Sequence, residues 1–515
     1  MDLNEFRQAP TSRTHPVYKN SMFTVEAAEY ATGEVLLGSV YRKLLLDIHD
    51  AKIDLAKVPA LKDKLDRVIA QSSPMFASAG LGQALLLEAG GLASPQKSGQ
   101  QGLQPLRSLM PIVPQVARHA CVIGRVRSRW YPGNLLVQVI GAGLEESRGN
   151  QLLDLLTDAL LVTDNDDLFA RFLEQFLERA EPSDGILPRK RCRLTPDDQW
   201  GFRGPISGEG RSPAERFCED LESVLEIKGQ LTRRQWCVLL EASLRLGLVT
   251  HVLWVCQINA ICWQLALDAA GGKQVPGIAE INQQVWGTHR DTAPLVEIGQ
   301  PAKPTIKRIL ERYLAARFGL NILLCRLEER GAGFTGVIGF KSGRRTAAAE
   351  EIRAFLQHVL ANRLSLNPQD PEVWLRQECS DLCDQHPSQV ASTSGSTKNL
   401  LEFAIYSLGQ LKTTPPDRRS YDQSFLLTSD ERSSRNQQLA QPGPAMLIFL
   451  AHACCRAQGN LPVSLEDFRN HMSDYGLHVP AGELPTGRLC MDLQNLGLVV
   501  DSPDAAGGRL LVRPF

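Results

Sequence analysis

The sequence predicts a mainly α, multi-domain protein with a helical bundle core, a small α+β element and a C-terminal module of three helices and a hairpin. Three observations predict it. The chain has 515 residues, beyond the roughly 250–300 at which a single hydrophobic core stops growing. Apolar side chains recur at three- and four-residue spacing through most of it. Ser212-Pro-Ala-Glu215 and Thr232-Arg-Arg-Gln235 are capping boxes opening two consecutive helices, in which the Ser or Thr hydroxyl and the Glu or Gln three residues on satisfy each other's backbone N–H groups.

The N-terminal region, 1–88, reads as helices: Val40 to Leu55 places Val40, Leu44, Ile48 and Ile53 on one stripe, and Leu61 to Ala70 continues in kind. A Gly/Ser/Gln/Pro-rich linker occupies 89–106. The central domain, 107–272, opens with a turn at Trp130 to Asn134 and a Val/Ile-containing run at Leu135 to Gly141 that reads as a strand. Amphipathic helices follow at Gln151–Val162 and Asp167–Ala180, the second preceded by acidic residues that suit the positive end of a helix dipole. Arg233 to Leu246 reads as a helix ending near Gly247, and Thr250 to Ala269 as a further helix stopped by Gly271-Gly272.

Residues 273–366 read as an α+β element with a basic rim: a helix at Thr305–Arg317, strands at Asn321–Leu327 and Gly336–Phe340 forming a hairpin, and a helix at Ala347–Leu360. Residues 367–442 are polar and connecting, interrupted by a helix at Asn399–Leu411. In 443–515, helices at Pro444–Gln458, Leu465–Tyr475 and Gly487–Leu496 precede strands at Leu498–Asp501 and Arg509–Val512. This order resembles a winged helix. The resemblance implies a third helix suited to the DNA major groove, with Arg488, Gln494 and Asn495 able to read base edges. The module's charge is -2, however, and phosphate attraction supplies most non-specific DNA affinity, so protein docking is the expectation.

Hydrophobic residues at 43%, charged residues at 22% and a formal charge of -1 describe an ordinary globular protein and exclude a disordered or nucleic-acid-coating chain. Any charged partner surface must be local. Residues 143–185 carry eleven acidic groups against Arg148, Arg171 and Arg179, a net of -8, while 303–345 carry ten basic groups against Glu311, Glu328 and Glu329, a net of +7. Lys307, Arg308, Arg326, Arg344 and Arg345, joined by Arg189 to Arg193, are the candidate phosphate contacts.

The segment Met1 to Pro16 is polar, with no apolar signal-peptide core, and the twelve cysteines are scattered as free thiols would be in a reducing compartment, so the predicted location is cytoplasmic. Leu246 to Leu267 lacks charge over a bilayer's width but includes Thr250, His251, Gln257, Asn259 and Gln264, which favours a buried core helix; no membrane partner is predicted.

Motifs with chemistry are few. Cys379, Cys383 and His386 fall at i, i+4 and i+7, the helical spacing that brings metal ligands to one face, yet a fourth ligand is missing. Gly331-Ala-Gly333-Phe-Thr-Gly336 matches GxGxxG without the helix that must follow it, and His289-Arg290-Asp291 precedes rather than follows it, so a hairpin turn is predicted. Asp220, Glu226 and Lys228 read as a solvated helical face, and His49-Asp50 beside Asp47 and Asp54 as a surface helix. No cofactor is predicted. The expectation is a non-enzymatic scaffold or adaptor subunit whose partners are proteins. In general look it is similar to accessory subunits of bacterial defence or DNA-processing systems. The alternatives are a DNA- or RNA-associated protein using the 303–345 patch, and a nuclease- or hydrolase-type enzyme whose site is assembled from distant residues.

Overall fold

The computed structural model describes residues 1–21, 23–25, 36–46, 67–68, 70–71, 111–117, 132–180, 191–194, 211–338, 345–390, 395–410, 422–429, 438–484, 486–501 and 508–515. The protein is mainly helical, with a few small sheets. Helices α1 (Leu3–Gln8) and α2 (Leu36–Tyr41) precede α3 (Pro132–Gly143), α4 (Glu146–Leu160), α5 (Leu168–Ala180) and α6 (Pro213–Glu226). Two long helices follow, α7 (Arg233–Ala270) and α8 (Ala302–Glu329), then α9 (Arg345–Ala361), α10 (Pro371–Gln385), α11 (Gly395–Leu408), α12 (Pro444–Ala457), α13 (Leu465–Asp474) and α14 (Arg488–Asn495), with short helical turns between several of them. The 89–106 linker, most of the predicted Leu61–Ala70 helix, and His49-Asp50 lie outside the described residues.

Both capping boxes form. Ser212 Oγ accepts from Glu215 N at 3.2 Å while Ser212 N donates to the Glu215 carboxylate at 2.7 Å, and Thr232 N donates to Gln235 Oε1 at 3.0 Å. The second box starts α7, the hub of the fold, against which α6, α8, α9 and α12 pack. By length and apolar composition α7 could cross a membrane, but its apolar stretch is 89% buried within the protein, packed by helices on every side.

The predicted break at Gly247 does not occur, since α7 runs through it for 38 residues. Gly247 serves close approach instead: a Cβ there would lie 2.1 Å from the Phe217 ring and 2.9 Å from Phe217 Cβ on α6. Gly247→Ala is therefore expected to destabilise by about 1–3 kcal/mol, because overpacking outweighs the roughly 1 kcal/mol of helix propensity that Ala gains over Gly. Urea denaturation followed by circular dichroism checks this, and an unchanged or raised midpoint would refute the close-approach reading. The helix ends where predicted, at Gly271, with Gly272 at φ +86°.

Two predicted strands are helical. Leu135–Gly141 lies within α3, and Asn321–Leu327 is the last part of α8, so the predicted hairpin to Gly336–Phe340 is absent; Gly331 at φ +71° follows the helix end, and the GxGxxG glycines follow a helix rather than joining two strands. The cause is common to both. Residues 321–327 are buried almost all round, and a helix surrounded by protein has no polar face, so its sequence becomes a continuous apolar run indistinguishable from a buried strand.

The strands are short. β1 (Val296–Glu297) pairs in parallel with β5 (Leu477–His478), β2 (Leu427–Ser429) pairs antiparallel with β3 (Gln438–Ala440), and β4 (Val463–Ser464) lies beside β7 (Arg509–Leu511), which also pairs with β6 (Val499–Asp501). In 443–515 the three predicted helices and two strands are present to within a residue or two, joined by β4. One continuous apolar cluster runs from Leu3 on α1 to Leu511 on β7, and α12 packs directly on α7.

Candidate functional site

The densest group of chemically capable side chains joins α6 to the C-terminal segment. Arg216 and Asp220 are one turn apart on α6, and His471 is on α13 with Asp474 at its end and Tyr475 just beyond. Asp220 Oδ2 accepts from Tyr475 Oη at 2.8 Å and contacts His471 Nε2 at 2.8 Å. Arg216 Nε donates to Asp474 Oδ2 at 2.9 Å, and Arg290 lies 3.2 Å from Asp474 Oδ1. Burial opposes the charge on Arg216, but Asp220 and Asp474 outweigh it and raise its pKa; burial, then Asp220, pushes the Tyr475 phenol well above its ordinary value. Asp220, His471 and Tyr475 are 2%, 4% and 0% exposed, so this Asp–His–Tyr–Arg constellation is enclosed by the protein and joins α6 to α13 through polar contacts. It also corrects the reading of Asp220 as solvated. Glu226 instead pairs with Arg456, Nε to Oε2 at 2.9 Å, and Lys228 with Asp166 at 3.3 Å, so the three residues of the nuclease-like set serve different contacts.

A second buried set lies on α7. Arg245 Nε donates to Glu241 at 2.8 Å and Nη1 to Asp422 at 2.9 Å, while Glu241 accepts from Leu36 N and Leu37 N at 3.1 and 2.8 Å, satisfying the start of α2. Arg233, also buried, donates to the carbonyls of Ala159, Leu160 and Leu161 at the end of α4, to that of Ile112, and to Asp166 at 3.1 Å. Cations placed there complement the negative pole of a helix.

The predicted metal ligands are spent on packing. Cys379 is buried on α10 with its thiol donating to Ala315 O at 3.2 Å, and His386 Nε2 contacts Arg7 O at 3.1 Å. Among the described residues no group of three or more His, Cys, Asp or Glu side chains is arranged to hold a metal ion.

The two charged tracts meet different fates. Arg191 and Arg193 pair with Asp154 at 3.1 and 2.6 Å, and Arg191 with Asp158 at 3.1 Å, so these two arginines settle on the acidic helix α4 of their own chain, while Arg189 and Lys190 lie outside the described residues. Within the basic tract, Arg326 lies over the Trp374 ring at 5.1 Å and pairs with Glu329 at 3.3 Å, whereas Lys307 and Arg308 are exposed near the start of α8; Arg344 and the Arg345 side chain lie outside the described residues. Lys303 and Arg312, counted in the basic tract but not named among the candidate phosphate contacts, share the exposed face with Lys307 and Arg308.

On α14, Arg488, Gln494 and Asn495 are exposed, Arg488 lying 3.6 Å from Asp492. Met491 is 50% exposed on the same helix and Val500 44% exposed on β6. The i, i+3 spacing of Arg488 and Met491 was the available signal for that surface. Comparison with known proteins gives no match: no protein-family model fits the chain, and neither a curated protein nor a solved structure is similar to it.

Proposed function

We propose that the protein is a non-enzymatic scaffold or adaptor subunit, built of several units, in which residues 443–515 are a winged-helix-like module that docks a protein partner. The observation that carries this reading is the outer surface of that module, where the half-exposed Met491 and Val500 accompany exposed Arg488, Gln494 and Asn495. An apolar anchor beside Arg and amide groups is the composition of a protein interface centre, and a module net charge of -2 disfavours phosphate. Burial of Asp220, His471 and Tyr475 supports a clamp in preference to a reactive site. The module is held to the bundle by Arg216–Asp474 and by the β1–β5 pair, so a partner on α14 would be presented in a fixed orientation, as a scaffold requires.

Met491→Glu in the full chain tests it. A charge placed on an interface anchor is expected to lower recovery of a stoichiometric partner from the native source at least tenfold, while the melting temperature stays unchanged because the side chain is exposed. Equal recovery of that partner by wild type and variant, or no stoichiometric partner with wild type, overturns the reading.

A further inference from the structure

We propose that the exposed face of the first half of α8 binds the phosphate backbone of a nucleic acid, a role distinct from partner docking on α14. Lys303, Lys307, Arg308 and Arg312 are all exposed, while Ile306, Ile309, Leu310, Tyr313 and Leu314 bury the opposite face, so the helix is seated and its basic face cannot rotate away. At about 100° per residue, Lys303 and Lys307 fall along one edge of that face and Arg308 and Arg312 along the other, with Pro304 and Glu311 between. Cations on each edge are about 6 Å apart along the axis and the set spans about 14 Å. Duplex DNA carries one charge per about 1.7 Å of its axis, so a stretch of that length meets several phosphates at once.

The cations are available. Lys303, Arg308 and Arg312 form no ion pair with any described residue, and Lys307 has only an exposed contact with Glu311 at 3.6 Å, which competes weakly with a phosphate. The face thus sets four cations against one carboxylate, near the positive pole of a 28-residue helix. The start of α8 is joined to α14, whose surface stays outside the phosphate contact. Ala440 N donates to Gln300 O at 2.9 Å just ahead of α8, and the next residue, Gln441, reaches Asp492 on α14 at 3.4 Å, tying the two helices together through β3. Acidic groups near that junction include Glu297 on β1, Glu483 and Asp492; Asp492 is engaged by Gln441 and Arg488, and Glu483 accepts from Leu489 N at 3.1 Å.

The test is anisotropy of a labelled 20-base-pair duplex titrated with the full chain between 50 and 200 mM salt. Four phosphate contacts predict about a hundredfold loss of affinity across that range. Arg308→Gln with Arg312→Gln is expected to weaken binding at least tenfold at low salt and to flatten the salt slope by about two, whereas Lys398→Gln on α11, already paired with Glu402, leaves both unchanged. Thermal melts of the variants confirm folding, and Met491→Glu binding the duplex as wild type does separates this role from partner docking. Absence of saturable binding at 50 mM salt, an unaltered slope in the double variant, or equal competition by polyglutamate at matched charge overturns the proposal.

Discussion

Arg245→Met is expected to destabilise the protein by about 3–5 kcal/mol near neutral pH, because it removes the buried cation that Glu241 and Asp422 share. Both side chains, with Arg245 between them, are essentially inaccessible to water, and Glu241 also caps α2 through Leu36 N and Leu37 N. The pH dependence follows from Glu241. Burial raises its pKa even in the wild type, against the opposing pull of Arg245 and the two backbone donors. A carboxyl whose folded pKa is raised favours the fold in its neutral form, so the cost of its charge is absent at acid pH and sets in as pH rises through the folded value. Without Arg245 that value rises further. The gap between variant and wild type, read from urea midpoints at pH 7 and near pH 4.5, should therefore narrow on acidification. A gap below about 1 kcal/mol at neutral pH, or one that widens on acidification, contradicts the burial and pairing described for the triad.

What the sequence disclosed follows how much water each element sees. The helices at Pro213 and Arg233 were legible because their capping boxes are local chemistry, requiring nothing beyond four residues. Helices α4, α5 and α14 each keep a polar face, so their periodicity survives. Residues 135–141 and 321–327 lie inside the bundle, lose that periodicity, and imitate strands. Gly247 misled for a related reason: glycine ends helices when φ is positive, but it also admits a neighbouring ring, and only the position of Phe217 distinguishes the two uses. The candidate sites were partly legible. Lys307, Arg308 and Arg488 were named from charge and element order, whereas only the position of Trp374 reveals that Arg326 is already occupied within the fold. The pairing of Asp220 with His471 spans 251 residues and leaves no trace at either end beyond a polar residue on an apolar helix face.

That long-range clamp gives the other large effect. Asp474→Ala should cost about 3 kcal/mol and act chiefly on residues 465–478, since it takes from Arg216, whose side chain is 9% exposed, a buried charged acceptor, leaving it only Glu219 at 3.1 Å and Asp220 at 3.9 Å, and removes the carboxylate that separates it from a second cation, Arg290. Two like charges then face each other in a partly desolvated space, and the strain falls on the contact between α13 and the bundle. Hydrogen exchange at low denaturant is the direct measurement. Amides of α13 and of β5, which pairs with β1, should lose protection in the variant, while those in the middle of α7 keep theirs because their neighbours are unchanged. Asp474→Asn, which keeps one acceptor oxygen for Arg216, should fall between. Uniform loss across α7 and α13 together would instead mean that the C-terminal segment and the bundle open as one cooperative unit, a result the shared apolar cluster permits and the clamp argument does not. If α13 alone loosens, partner docking on α14 should weaken without any change at Met491, since the presenting surface would no longer be held in one orientation.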